Sequence, residues 1–257
     1  MDVENNEVFT AVEDEVQKMG FLQRVASLFI APVKLMQNIK EYPVIASMLI
    51  FVMALSLLTL PFMSRITELS QNMISEIMLA RYGQDFLSLL ETQSANISTT
   101  SLISAIVGVI IAYPIACFLK ALVLLIITKI AKGGAKYKQY ASMYAHVLII
   151  SALSGLIITP IMIAMGAILD VSSLAALFMP NGNISMMSYN LLSSITLFTI
   201  IEAVLVMIGV REINGFSNTK AIVTVLIMFA LSTVFTAAMA GVSIFALDIS
   251  YKALGLI

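Results

Sequence analysis

Five predominantly apolar stretches of about 20 or more residues run through this chain: Pro43 to Phe62, Leu102 to Thr128, Tyr144 to Leu169, Leu191 to Val210 and Ala221 to Leu247. A helix of about 20 residues crosses a hydrocarbon core of roughly 30 Å, because every backbone polar group is satisfied inside the segment. The predicted fold is therefore all-α: a polytopic membrane protein with five transmembrane helices and N-terminal interfacial amphipathic helices. Composition agrees, since 60% of the residues are hydrophobic and 11% charged, against roughly a quarter charged in a soluble domain. A water-soluble globule is excluded. The net charge of −1 comes from scattered groups, so no basic surface marks nucleic acid as a partner. The lone cysteine, Cys117, excludes an internal disulfide and any CxxC-type metal or redox site.

Lysine and arginine near span ends are retained in the cytoplasm. Of 14 basic residues, ten fall on one side: Lys18, Arg24, Lys34, Lys40, Lys129, Lys132, Lys136, Lys138, Arg211 and Lys220. Arg65, Arg81 and Lys252 fall on the other, and Lys120 lies within a span. This bias predicts a cytoplasmic N-terminus and, after five spans, an outer C-terminus with a short tail over 248–257. The acidic start lacks a signal-peptide pattern, so the first span is expected to direct insertion. Tyr137, Tyr140 and Tyr144 cluster at one predicted boundary, where amphipathic rings favour the headgroup layer. Pro114 interrupts the second stretch; a kinked spanning helix preserves the charge bias, whereas a re-entrant turn spoils it.

Residues 1–17 hold six acids and no base and read as a disordered tail. Within 18–42, Phe21, Leu22, Val25, Leu28 and Phe29 recur at helical spacing opposite Gln23, Arg24 and Ser27. Leu35, Met36 and Ile39 do so opposite Lys34, Gln37, Asn38 and Lys40. Two readings fit this pattern: interfacial helices with bases toward anionic headgroups, or helices packed on the bundle. Ile66, Leu69, Met73, Ile77 and Ala80 mark a further amphipathic helix in the long outer connection. Asn96-Ile97-Ser98 and Asn183-Ile184-Ser185 match the glycosylation sequon, a pattern that arises often by chance.

Three spans each carry one ionisable residue: Lys120, His146 and Glu202. Each lies eight or nine residues from a basic residue at the cytoplasmic edge, about 12 to 14 Å along a helix. They share one layer. A charge in hydrocarbon costs on the order of 3 kcal/mol or more unless it finds a partner, water or an interface. The layer therefore predicts an intramembrane polar cluster, with Lys120 facing Glu202 and His146 nearby. The alternative is separate accommodation, with Lys120 snorkelling and Glu202 protonated.

No GxxxxGK[ST], HExxH, GxSxG or GxGxxG pattern occurs. One histidine leaves no multi-histidine metal site, and Ser154 lies eight residues along the helix from His146, beyond hydrogen-bond reach. No catalytic residue, metal or cofactor is expected. Ser151 with Gly155, and Ala237 with Gly241, have the spacing of close helix packing. Gly133-Gly134 and Asn214-Gly215 read as tight inner turns. Lys132, Lys136, Lys138, Arg211 and Lys220 form a predicted cytoplasmic basic rim.

Pro32-Val33-Lys34 through Ile39 and Pro43, Gly133-Gly134-Ala135-Lys136-Tyr137-Lys138-Gln139, and Gly209 through Ile213-Asn214-Gly215-Phe216-Ser217 to Lys220-Ala221 together resemble the Yip (Ypt-interacting protein) domain family in its bacterial branch. The resemblance covers roughly residues 20 to 247. It implies a non-enzymatic multi-pass protein. Eukaryotic members of that family act in trafficking and bind Rab GTPases, and some bacterial members accompany ABC-type permeases. The Asp-Leu-Tyr-Gly-Pro segment of the eukaryotic branch is absent here, so a GTPase partner is not carried over. The expected function is a scaffold or assembly factor in the bacterial plasma membrane. Its partners would be membrane lipids and another integral membrane protein, an ABC-type permease among the candidates. The alternative is a small transporter, channel or lipid-moving protein using Lys120, His146 and Glu202.

Overall fold

The computed structural model describes residues 17–82, 97–178 and 186–253, with backbone alone at 73–74, 76–78, 80–82, 97–102, 186–187, 189–190 and 236–253. Met73, Ile77 and Ala80 of the amphipathic helix expected in the outer connection therefore lie outside the residues whose side chains are described. Nearly all of the expected acidic tail, Asn96 and Asn183-Ile184-Ser185 of the sequons, and residues 254–257 of the outer tail lie outside the described residues. Helices make up the regular structure: α1 (Phe21–Ile30), α2 (Pro32–Glu41), α3 (Ala46–Leu57), a 3-10 turn (Leu60–Phe62), α4 (Met63–Tyr82), α5 (Ile97–Ile130), α6 (Tyr137–Met165), a second 3-10 turn (Leu174–Leu177), α7 (Met186–Ser193), α8 (Leu197–Asn214) and α9 (Asn218–Ala253). The strand-like pairing among the described residues is one antiparallel bridge, Ser173 to Thr196.

Four helical stretches among the described residues are long and apolar enough to cross a membrane: Ala46–Asn72, Ile103–Ile130, Tyr137–Met165 and Asn218–Phe235. They correspond to the first, second, third and fifth expected spans. The fourth, expected as one helix over 191–210, is divided between α7 and α8. Hydropathy runs across the division, but hydroxyl chemistry starts a new helix there. Thr196 caps α8: its Oγ1 accepts from the Thr199 amide at 3.1 Å, and Thr199 Oγ1 accepts from the Thr196 amide at 2.8 Å. Reciprocal capping of this kind satisfies orphan donors that a continuous helix does not have. The Leu174 amide then donates to the Ile195 carbonyl at 2.9 Å, and the Leu197 amide to Ser172 at 3.0 Å, which pins the connection against the break.

Helix α5 runs unbroken through Pro114, which excludes the re-entrant alternative. Its 34 residues span about 51 Å, more than a hydrocarbon core is thick. Among its described side chains, Cys117, Ala121, Leu124 and Thr128 are buried, a single stripe at i, i+4, i+7 and i+11. Helix α6 is buried differently. All residues from Tyr140 to Ile150 are inaccessible, the signature of a helix enclosed by others on every side. It packs against α2, α3, α4, α5 and α8. The helix begins seven residues before the expected Tyr144 and ends at Met165 rather than Leu169. Tyr140 and Tyr144 therefore enter the core rather than the headgroup layer. Their spacing with Tyr137 repeats at i, i+3 and i+7, which is also the period of a core-facing stripe. Tyr137 alone of the three is exposed, and its hydroxyl donates to the Phe118 carbonyl at 3.1 Å.

The N-terminal pair divides between the two expected readings. Helix α2, opened by Pro32 in its first turn, buries Leu35, Met36 and Ile39 completely and packs on α8 and α6. A Cβ on Gly209 of α8 would collide with Met143 and come within 3.1 Å of Met36 Sδ, so the absence of a side chain there sets how closely α8 approaches. Helix α1 buries Leu28 but leaves Leu22, Phe29 and Ile30 largely exposed.

Arg24 departs from expectation. Instead of facing headgroups it is 1% exposed. Its Nε donates to the Met19 carbonyl at 3.1 Å and its Nη2 to Tyr42 at 2.8 Å. Burial draws its pKa below the ordinary guanidinium value, yet an arginine stays charged at neutral pH. The guanidinium fork is what lets one side chain reach the chain before α1 and the end of α2 together. Nearby, Asn38 Nδ2 donates to the Gln17 carbonyl at 2.6 Å, and the Ser142 hydroxyl bonds both the amide and the carbonyl of Val44, at 2.9 and 2.8 Å.

A lysine at position 24 has the charge but not the fork. Arg24→Lys is expected to cost about 1 to 3 kcal/mol, the range for leaving a buried acceptor unpaired, read as a lowered melting temperature in mild detergent. An unchanged melting temperature would mean that the guanidinium clasp contributes nothing.

Candidate functional site

Lys120 projects from α5 and Glu202 from α8, and the structure brings them together with Nζ and Oε2 3.8 Å apart. The second carboxylate oxygen, Oε1, accepts from the Ser151 hydroxyl of α6. Three helices thus meet at one carboxylate. Glu202 is 15% exposed and Lys120 37%, so the acid is enclosed while the base opens onto a cavity of about 230 Å³. Tyr144, Thr199 and Thr233 also line that cavity. The Tyr144 hydroxyl donates to Met228 Sδ at 2.7 Å, tying α6 to α9 across the same space. The enclosed carboxyl group thus has two polar partners, the Ser151 hydroxyl and a partly exposed ammonium, in an otherwise apolar helix interface.

His146 does not join them. On α6, Ser151 lies seven residues from Tyr144, nearly two full turns, so the two share a face. His146 is two residues from Tyr144, about 200° around the helix. Its ring is fully buried with Nδ1 2.7 Å from the Ser142 carbonyl, a contact that places the proton on Nδ1. Equal depth in the sequence put the three residues in one layer, but azimuth separates His146 from the pair. The expected three-residue cluster is corrected to a pair with a serine.

The lysine-rich end of the bundle is held by a second polar group that sequence reading treated only as turns. Asn214, the last residue of α8, donates from Nδ2 to the Val210 carbonyl at 2.9 Å and accepts at Oδ1 from the Ala135 amide at 3.3 Å. The Tyr140 hydroxyl lies 3.0 Å from that oxygen and 2.7 Å from Nδ2. Gly215 follows with φ 67° and closes the helix in the left-handed conformation that favours glycine. Across from it, a Cβ on Gly133 would stand 2.5 Å from Asn214 Oδ1 and 2.9 Å from the Thr128 carbonyl, whereas one on Gly134 would meet open space. The two inner turns therefore form one packed unit. An asparagine before a glycine signals a helix end, but nothing in that signal locates its contact with Tyr140.

The basic rim is unequal. Lys132, Lys136, Lys138 and Lys220 are exposed. Arg211 is half-buried and paired with Glu212 at 2.7 Å, and Glu212 also accepts from Gln37 Nε2 at 2.9 Å, joining α8 to α2. Arg211 is thus withdrawn from the expected free rim by its own neighbour. Ser151 takes the carboxylate, while a Cβ on Gly155 would make an ordinary contact with Thr59 Cγ2 at 3.8 Å, so the small-residue spacing there does not mark a close helix approach. Ala237 and Gly241 lie outside the residues whose side chains are described. Among the described residues no group of histidine, cysteine or carboxylate side chains is gathered to hold a metal ion.

The profile of the Yip1 domain matches residues 26–239, which take in α2, the ion pair and both inner turns. The chain belongs to the Yip1 domain family. It is similar to "Membrane protein YknW" of Bacillus subtilis (strain 168), 25% identical over 203 residues that cover 78% of this chain and 82% of that one. No solved structure matches it. A Yip1-domain membrane protein built of several apolar helices is therefore the class to which the site belongs. The Gly133-Gly134 and Asn214-Gly215 segments that carried the family resemblance are the same ones that the fold packs together.

Two measurements follow from this geometry. In a double-mutant cycle, Lys120→Met and Glu202→Gln should each destabilise the protein, and together by about 0.5 to 1 kcal/mol less than their sum; the partial exposure of Lys120 keeps that coupling small. Strict additivity in thermal melts would show that the pair is not coupled. At the inner turns, Gly133→Ala should cost about 1 to 3 kcal/mol by overpacking while Gly134→Ala leaves the melting temperature unchanged. Equal effects would contradict the packing of Gly133 on Asn214.

Proposed function

We propose that this Yip1-family protein is a non-enzymatic scaffold or assembly factor of the bacterial plasma membrane that binds another integral membrane protein, an ABC-type permease among the candidates. It would cross the bilayer five times, with α8 completing the fourth crossing, its N-terminus cytoplasmic and its C-terminus outside. At 18 residues, α8 reaches about 27 Å. Its one mid-helix charge, Glu202, is paired, and Arg211 and Glu212 lie at the lysine-rich end that the positive-inside bias assigns to the cytoplasm. Helix α1 would then lie along the inner leaflet with Leu22, Phe29 and Ile30 toward lipid.

The observation that carries this reading is the use to which buried polar side chains are put. Glu202 joins α5, α6 and α8; Tyr140 with Asn214 joins α6 and α8; Ser142 joins α6 to the start of α3; Arg24 joins α1 to α2. These groups hold helices in register instead of converging on a point where a substrate would react. Beyond the single stripe of α5 that enters the core, Val107, Ile111, Ile115, Leu119 and Leu122 of the same helix are exposed, leaving a long flank for lateral helix contact.

Copurification from native membranes in mild detergent tests the reading. A permease or other membrane protein recovered at fixed stoichiometry is the expected result, and it should persist in Glu202→Gln if the pair is structural. Recovery of the chain alone, or ion flux through reconstituted vesicles that Glu202→Gln abolishes, would replace the scaffold with a conduit. Protease added to intact cells should remove a C-terminal tag and spare an N-terminal one; the same fate for both tags would refute an odd number of crossings.

A further inference from the structure

A groove of about 690 Å³ runs between α5 and α9 from the lysine-rich end into the apolar zone. Its walls are Ile126, Ile127 and Ile130 of α5 and Val223, Ile227 and Leu231 of α9. Between Ser217 and Leu231 the α9 wall extends 14 residues, about 21 Å of helical rise. Ile126, Ile130, Val223, Ile227 and Leu231 are 46% to 79% exposed, so no other described element of the chain covers them.

The mouth differs from the walls. Ser217, Thr219 and Lys220 line it, at the start of α9, where the Lys220 amide lies 3.4 Å from Ser217 Oγ and the helix end favours negative charge. The Lys220 ammonium sits 4.0 Å from the centroid of the Phe216 ring. That contact restrains the side chain while leaving ammonium protons free to donate. Lys129 and Lys132, at the end of α5, are both exposed and flank the mouth in sequence next to Ile130 and Ala131 of the lining. No carboxylate is among the described residues that line the groove.

We infer that this groove binds an anionic phospholipid, with an acyl chain between α5 and α9 and the headgroup phosphate held by Lys220 with the Ser217 and Thr219 hydroxyls. The chemistry at the two ends belongs to one amphipathic molecule: hydrocarbon along the wall from Val223 to Leu231, about 12 Å and so close to the depth of one leaflet, then a monoanion at the level where the lysines emerge. A transmembrane helix of a partner would match the walls but leave Lys220 with no counter-charge, and free phosphate would use the mouth but not the walls. Charge complementarity selects the lipid. The inference rests on the chain crossing a bilayer and is independent of the scaffold reading, because it needs no partner protein.

The test uses the full chain, purified in mild detergent, exchanged against phosphatidylglycerol or phosphatidylcholine, and measured by native mass spectrometry. Wild type should retain phosphatidylglycerol preferentially. Lys220→Gln should lower that retention about fivefold, the effect of one basic group at a lipid surface, and Arg65→Gln, outside both the groove lining and the basic rim, should leave it unchanged. Val223→Trp, which fills the groove at an exposed position, should lower retention of phosphatidylglycerol as well, and inorganic phosphate should not compete. Melting temperatures of the variants identify any that lose the fold. Equal retention of the two lipids, retention indifferent to Lys220→Gln, competition by inorganic phosphate, or a copurified protein that shields Val223 from lipid would each overturn the assignment.

Discussion

Enclosing one helix on every side is the constraint from which the rest of this structure follows. From Tyr140 to Ile150, α6 has no accessible face, so the polar groups it carries are answered by protein rather than by water, His146 Nε2 excepted, which has no partner among the described residues. Burying such a group without a hydrogen bond costs several kcal/mol in an apolar surround. The neighbours are therefore placed by those requirements as much as by packing. Ser142 fixes the chain ahead of α3, Tyr140 fixes the end of α8, Ser151 reaches Glu202, and Tyr144 reaches Met228 on α9. Apolar contact alone would allow the surrounding helices to slide, because lipid tails are as apolar as a leucine face. Polar ties at successive heights along α6 set both register and rotation.

The same enclosure explains the close approaches. Helix α8 comes near enough to α6 and α2 that a side chain at Gly209 would meet Met143 and Met36. At the lysine-rich end, Gly133 lies against Asn214 for the same reason. Packing at that distance is what brings the Arg211–Glu212 pair within reach of Gln37 and so couples α2 to α8. The N-terminal helices thus belong to the bundle through α2 and to the surface through α1. Arg24 is the hinge between these roles: its two bonds hold Met19 and Tyr42 while the apolar side chains of α1 point away.

Much of the fold was legible because hydropathy over about 20 residues reports burial in hydrocarbon directly. The helices at Ala46, Ile103, Tyr137 and Asn218 lie where the apolar stretches predicted them. The division between α7 and α8 was not visible, because Ser194 and Thr196 barely lower the mean hydropathy although their hydroxyls cap a helix. Depth was legible as well: counting residues from basic edges placed Lys120 and Glu202 at one height, and they meet. Rotation about the helix axis was not. It turns Tyr144 inward and carries His146 away from Glu202, and periodicity cannot resolve it in helices that are apolar nearly all round; in amphipathic α1 the period is plain, yet Arg24 is buried because Met19 and Tyr42 offer it carbonyls on the polar side. Asn214 illustrates the remaining gap. Its place before Gly215 announces a helix end, but its bonds to Ala135 and Tyr140 depend on two turns some 80 residues apart in the chain coming to one spot.

The distribution of charge in the finished structure bears on how a protein with so little polar chemistry can act specifically. Glu202 and Arg211 are answered within the chain, whereas Lys132, Lys136, Lys138 and Lys220 remain exposed at one end. An internal pair raises specificity of folding by penalising every arrangement that separates its members. The exposed lysines are left to act on what lies outside, and they sit on turns and helix ends that the Asn214 unit holds rigidly. Rigid placement lowers the entropy lost when such a group engages a ligand or partner. The polar interior is thus what makes the basic exterior selective: residues that never touch a partner determine where the exposed lysines stand relative to the apolar groove beside them.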